Sequence, residues 1–333
     1  MPDLLLSGVQ PTNNLHIGNY IGALKQWTEI QHRYRCLFCV VDLHAITMPQ
    51  DPQTLRANIL NVAATYLAVG VDPARCHIFV QSEVSEHTEL AWILSTMTKI
   101  AELERMTQFK DKSNKQNENV GAGLFTYPAL MAADILLYDT TVVPVGEDQL
   151  QHLELTRTLA RRFNARFGET FVVPQSLVQK MGARIMALDD PTVKMSKSAS
   201  SPNNYIALTD SPDVIRKKIS RAVTDSGSAI SYDETERPAI SNLLTIYHHA
   251  TGKTMKEIER EFAGKGYSDF KKTLAETVIT MLAPIQKRLH QFLDDPAELT
   301  RILDAGRDAA KELASQKMKL MRKKVGLGRE ALL

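Results

Sequence analysis

The stretch "LLLSGVQPTNNLHIGN", from Leu4 to Asn19, runs from an apolar β-rich segment through a turn-rich loop to a glycine and an asparagine ahead of a helical pattern. Strand, loop and helix in that order predict one unit of an α/β fold, in which the loop at the strand's carboxyl end is the natural ligand site. The same habit repeats along the first two hundred residues. Strands are expected at Leu4 to Gly8, Cys36 to Asp42, His77 to Gln81, Thr141 to Val145 and Ile185 to Leu188, with helices between them. Asp51-Pro52 reads as a helix cap followed by proline at the first helical position, opening a helix to about Leu67, and a second helix is expected over Tyr127 to Tyr138. The fold class predicted is therefore α/β, a Rossmann-like doubly wound parallel sheet. After Pro202 the β signals stop, and from Pro212 onward nearly everything has 3.6-residue spacing, which predicts an α-helical C-terminal domain.

The expected division is residues 1–204 for the sheet domain and 205–333 for the helical one, with a polar connective loop near 107–122. At 333 residues the chain is longer than one hydrophobic core usually serves. Its 44% hydrophobic and 23% charged residues exclude disordered and collagen-like classes. No apolar run reaches the ~20 residues that a bilayer demands, which predicts no membrane segment. The amino terminus has no basic, apolar and small-residue signal pattern, so a cytoplasmic location is expected. Cys36, Cys39 and Cys76 are too few and too irregular for a disulfide framework. On a strand Cys36 and Cys39 point to opposite faces and cannot share a metal, and no structural metal is predicted. Net charge is +2, from 40 Lys and Arg against 38 Asp and Glu, so any nucleic-acid contact must come from a local patch. The basic tract Lys317 to Arg329 is either such a patch or a solvated helix face.

Three constellations carry chemistry. Gly18 lets a phosphate or adenine approach the backbone where a helix begins, with His16 and Asn19 beside it. Gly146-Glu147-Asp148 stands where a strand leads into another helix, a second anion or nucleotide position. "PTVKMSKSAS", residues 191–200, places Lys194, Lys197, Ser196 and Ser198 on a short loop, a set suited to gripping a triphosphate whose leaving group gains charge. The bland alternative for each is a plain turn or a solvated loop. Tyr127, Met131, Asp134 and Tyr138 fall on one helix face, so one carboxylate sits among aromatic and thioether groups. A buried carboxylate needs a donor, and either a ligand N–H or a partner within the core would serve. His44 lies just past the end of the second strand, where ligands of open α/β sheets bind.

With these residues in place the chain resembles the bacterial tryptophanyl-tRNA synthetases, class I enzymes of the HIGH/KMSKS type. The likeness runs through "SGVQPTNNLHIGNYIGAL", "VDLHAIT", "ELERMTQFKDKS", "YPALMAADILLY", "VPVGEDQ", "GARIM" and "KMSKS". It implies that Gln10, Pro11, Thr12, Gly18, Asn19, Gly146, Glu147, Asp148, Ile185, Lys194, Met195, Ser196, Lys197 and Ser198 bind ATP. It implies catalytic parts for Lys194, Lys197, His16 and Lys112. Asp134 would accept the tryptophan indole N–H, with Tyr127, Met131, Gln149, Val143, Val145 and His44 around the amino acid. The implied substrates are L-tryptophan, ATP with Mg²⁺ and tRNA(Trp), the implied assembly is a homodimer, and the helical domain would bind the anticodon. Leu6, His16, Leu43 and Ala199 depart from the residues that many members have there. A tyrosine ligase of the same subgroup, a small-molecule adenylyltransferase and a catalytically silent RNA-binding relative are the alternative readings.

Overall fold

A computed structural model describes residues 3–12, 15–107, 121–146, 149–178, 184–196, 201–227 and 229–329. Its centre is a five-stranded, all-parallel sheet. The strands are β1 (Leu4–Val9), β2 (Arg35–Val40), β3 (Cys76–Val80), β4 (Val142–Val145) and β5 (Gln175–Val178), in the order β3-β2-β1-β4-β5. Segments such as "RCLFCV" and "CHIFV" are apolar on both faces because helices cover the sheet on both sides. Chain direction across the sheet reverses between β1 and β4, and it is there that a doubly wound sheet opens a crevice.

The helices of the first half are α1 (Ile17–Asn19), α2 (Lys25–Ile30), α3 (Asp42–Ala45), α4 (Pro52–Val69), α5 (Glu86–Ser95), α6 (Ile100–Glu104), α7 (Ala122–Leu136) and α8 (Leu150–Phe167). A π-helical turn, Tyr20–Leu24, joins α1 to α2. The start of α4 is as read from sequence: the Asp51 carboxylate accepts from Thr54 N–H at 2.8 Å, Pro52 follows, and Gly70 ends the helix at φ 109°. The second half is helical: α9 (Pro212–Arg221), α10 (Pro238–Thr251), α11 (Met255–Glu261), α12 (Tyr267–Asp294) and α13 (Pro296–Val325).

Two expectations about strands need correction. Residues 185–188 form no strand of the sheet; they make one antiparallel bridge, Met186 to Lys194. The fifth strand is Gln175–Val178, paired with β4. Asp42 does not end β2 but begins α3, where its carboxylate accepts from Leu43 N–H at 3.1 Å and Ser82 N–H at 2.9 Å. The connective loop expected near 107–122 lies largely outside the described residues. Among the described residues no helix is long and apolar enough to cross a membrane.

The two sheet faces carry separate apolar cores. Leu5, Cys36, Phe38 and Ile78 point to one face and continue without a break into Ile215, Leu243 and Phe270 of the helical half. Leu6, Leu37, Cys39 and Phe79 point to the other, toward α5, α7 and α8. Cys36 and Cys39 thus lie on opposite faces. Helix α13 joins both cores: Leu299, Ile302 and Leu303 belong to the first, Ala310, Ala314, Met318 and Met321 to the second. It crosses β3 at Gly306, where an added Cβ would lie 1.8 Å from the Ile78 carbonyl oxygen, so only glycine admits the helix so close to strand backbone. The basic tract at its end is partly structural. The buried Lys317 ammonium donates to Asp139 at 2.5 Å and to Thr170 O at 2.9 Å, Arg322 Nε donates to Glu89 at 2.7 Å, and Lys324 donates to Glu169 O at 3.1 Å.

Candidate active site

A cavity of about 370 Å³ opens at the carboxyl ends of β1 and β4, in the crevice where chain direction reverses. Leu6, Met131, Ile135, Val143 and Val145 give it apolar walls, and Gln10 and Gln149 stand among its polar groups. Tyr127 also lines it, with its hydroxyl 2.6 Å from Nε2 of the buried His152 in α8. Gly8 lets β1 approach β2 beside the cavity: an added Cβ would meet Cys39 O at 2.8 Å and Val41 at 2.9 Å.

Asp134, on α7, is 5% exposed and reaches the cavity through a dense set of donors. Its Oδ1 accepts from Gln81 Nε2 at 2.7 Å and from His87 Nδ1 at 2.7 Å, and its Oδ2 accepts from His44 Nε2 at 2.8 Å. Behind His87, the Tyr138 hydroxyl lies 2.7 Å from Nε2. Burial pushes the Tyr138 phenol up, so it stays protonated and donates, leaving His87 to donate to the carboxylate through Nδ1. Burial by itself would raise the Asp134 carboxyl, but the bonds from His44 and His87 outweigh it and hold the group well below the usual carboxylate range. Asp134 is thus a fixed buried anion. Oδ1 has both acceptor positions filled, while Oδ2 carries one protein donor and keeps capacity for a second.

All seven residues expected around the amino acid, Asp134, Tyr127, Met131, Gln149, Val143, Val145 and His44, line this one cavity. Tyr138 departs from the expected face: it follows α7 and supports His87 from behind instead of facing the cavity. His87 and Gln81, which sequence reasoning missed, come from α5 and the turn after β3. Helical periodicity ranks faces within one helix and carries no signal for partners so distant in sequence.

Of the residues expected at the nucleotide, His16, Gly18, Ile185 and Lys194 lie together. His16 caps α1, its backbone N–H donating to Asn19 Oδ1 at 3.0 Å, and its ring lies against Gly18, where a Cβ would come within 3.0 Å. Burial first and the nearby Lys194 charge second press the His16 imidazole down to about 4, so it is neutral at physiological pH. Its Nδ1 is buried and, among the described residues, has no partner. Ile185 covers Gly18, Met195 is buried beneath the bridge, and Lys194 is exposed. Gln10, Pro11 and Thr12 lead from β1 toward His16, and the Gly146 carbonyl accepts from Gln149 N–H at 3.0 Å. Ser196 is half-buried. Lys112, Glu147, Asp148, Lys197, Ser198 and Ala199 lie outside the described residues. Among the described residues no three His, Cys, Asp or Glu side chains are grouped to hold a metal ion.

A model of the family described as "tRNA synthetases class I (W and Y)" matches residues 3–283. The chain belongs to that family. Family members named tryptophan–tRNA ligase are similar over the whole length: one from Caldanaerobacter subterraneus subsp. tengcongensis is 54% identical, covering 97% of this chain and 98% of its own, and one from Bacillus subtilis is 52% identical, covering 99% of each. Among solved members of the family, the tryptophanyl-tRNA synthetase of Mycoplasma pneumoniae superposes with TM-score 0.92 at 37% identity over 99% of both chains. That of Campylobacter jejuni, complexed with ADP and tryptophane, gives 0.85 at 38% identity, covering 97% of this chain and 100% of its own.

Proposed function

We propose that the chain is a tryptophan–tRNA ligase, which activates L-tryptophan with MgATP to tryptophanyl-adenylate and passes the amino acid to the 2′-hydroxyl of the terminal adenosine of tRNA(Trp). The observation that carries this reading is the cavity itself: an apolar slot with one ionised, triply held carboxylate that retains acceptor capacity at Oδ2. An indole offers one N–H donor on a large apolar body, and that slot complements it. A site committed to a buried hydrogen bond rejects phenylalanine, which cannot complete it, more strongly than a size sieve would. Gln10 and Gln149, which line the same cavity, receive the amino acid's polar end in this reading.

In the activation step the tryptophan carboxylate attacks the α-phosphorus of ATP and pyrophosphate departs. The chain supplies positioning and charge, with no protein nucleophile. Lys194 and Lys197 stabilise the leaving pyrophosphate, with Lys112 as a further cation. Gly18 and Ile185 take the adenosine side together with Gly146, Glu147 and Asp148, and neutral His16 offers a hydrogen bond to phosphate without adding a charge. The helical half, with exposed lysines such as Lys319 and Lys323, contributes the tRNA surface, and the assembly is a cytoplasmic homodimer. Amino-acid-dependent pyrophosphate exchange with tryptophan and tyrosine side by side, followed by charging of purified tRNA, tests the reading. Exchange with tryptophan and transfer to tRNA are expected. Preference for tyrosine points to the sister ligase, and exchange without transfer points to an adenylyltransferase.

A further inference from the structure

Lys194 sits on the outer arm of a small hairpin whose inner arm is tied at its centre to α10 by a side-chain amide. In this hairpin Ala187 N–H donates to Val193 O at 2.8 Å and Met195 N–H donates to Ile185 O at 3.0 Å, framing the bridge between Met186 and Lys194. Along an antiparallel arm, successive residues turn their N–H and C=O alternately toward the partner and away from it. Met186, directly opposite Lys194, turns both away. Both are taken up by Asn242 of α10, which is 6% exposed: Met186 N–H donates to Asn242 Oδ1 at 2.8 Å, and Asn242 Nδ2 donates to Met186 O at 2.9 Å. The carboxamide does what the edge of a further strand would do. A primary amide is the side-chain group that offers an acceptor and a donor side by side, as a peptide does; a carboxylate accepts only, and an aliphatic chain does neither.

We propose that Asn242 is a positioning residue for Lys194, fixing from the helical half the height at which that lysine stands over Gly18 and His16. The proposal rests on the reading that Lys194 acts on the phosphates of ATP. The neighbouring hairpin residues explain why one amide suffices. Ile185 and Met195, the facing pair on the base side of the bridge, are buried, and on its turn side Leu188 N–H donates to Asn204 O at 2.9 Å and Leu188 O accepts from Val223 N–H at 2.8 Å. The hairpin can therefore pivot at its centre, at Met186, more readily than at its base. Releasing Met186 leaves two backbone groups without partners and lets the arm opposite Lys194 shift, while Asp134 and the cavity walls belong to other elements.

The test is a double-variant comparison. Asn242→Leu keeps the branching of the side chain and removes both bonds; Asn242→Asp keeps the acceptor and removes the donor. Each is made alone and with Lys194→Ala, and single-turnover formation of tryptophanyl-adenylate is measured together with KM for tryptophan. Alone, either Asn242 variant is expected to slow adenylate formation by about 10- to 100-fold, with KM for tryptophan within about twofold of the unsubstituted protein. Beside Lys194→Ala, the further loss is expected to be less than about twofold, because the group being positioned is gone. The same factor lost in both backgrounds, or an unsubstituted rate in the single variants, overturns the role of Asn242 while leaving Lys194 its own. An unsubstituted rate in Lys194→Ala alone removes the role of Lys194 and this proposal with it. Should Asn242→Leu not fold, Asn242→Asp carries the same comparison.

Discussion

Replacing Asp134 by asparagine separates a recognition carboxylate from a carboxylate that only completes a buried network. Oδ1 accepts from both Gln81 and His87, so an amide nitrogen there would face two donors; the amide must place its nitrogen at the Oδ2 position. There it meets His44 Nε2, and its second N–H projects into the cavity at the acceptor position left open to an indole. Tryptophan then loses one hydrogen bond to a charged group, ~1.5–3 kcal/mol, and gains an opposed pair of donors with a desolvation cost of ~1–3 kcal/mol. At about 1.4 kcal/mol per tenfold, kcat/KM for tryptophan should fall by roughly 10²- to 10⁴-fold. Tyrosine suffers less, because its phenol oxygen can accept from the new N–H, so the preference for tryptophan over tyrosine should narrow by roughly 10²-fold or more. Pyrophosphate exchange with both amino acids gives the ratio, and the urea midpoint confirms that the variant is folded. Tryptophan and tyrosine falling by the same factor, or tryptophan staying within threefold, would refute the assignment of the open acceptor to the indole.

Gly306→Ala forces a methyl group to within 1.8 Å of the Ile78 carbonyl, a backbone atom that cannot rotate aside, so α13 must lift from β3. A loss of ~2–3 kcal/mol is expected as a lower urea midpoint with an unchanged slope, and an unchanged midpoint would contradict the crossing. His16, held down to about 4 chiefly by burial, should keep a neutral ring until near that pH by NMR titration. Because its folded value is depressed, the stability linked to it is fully present above about 6.5, its ordinary value, and declines as pH falls toward 4. In Lys194→Ala the midpoint should rise yet remain below 6.5; a midpoint at or above 6.5 in the unsubstituted protein would show that the ring is not buried as described.

Local order was legible wherever one short stretch carries its own physics. "LLLSGV" is apolar enough for a central strand, Asp51-Pro52 caps a helix, and the face of α7 places Tyr127, Met131 and Asp134 together. The misreadings share a cause. "QSLV" is a polar-edged, four-residue strand that gains its status only from pairing with β4, whereas the more apolar "IMAL" gained one bridge and no sheet neighbour. Asp42 looked like the end of an extended run, yet its carboxylate binds Leu43 and Ser82 N–H groups and turns the chain into α3. The residues that line the cavity were implied by the family resemblance; the electrostatics around Asp134 were not legible in the sequence. What keeps Asp134 ionised comes from His44 and His87, on two separate segments, and only the assembled fold brings them, with Gln81, to one carboxylate.

The passage of α13 across β3 also orders events during synthesis. Because β3 is an outer strand, its unpaired side is a template for unwanted strand addition until something covers it. The covering residues, Leu299 through Met321, come far later in the sequence than β3, so during synthesis that margin is made well before its cover. Chains cut short before Gly306 should therefore fail by self-association before they fail by loss of chemistry, and in the folded molecule α13 acts as the seal on that margin.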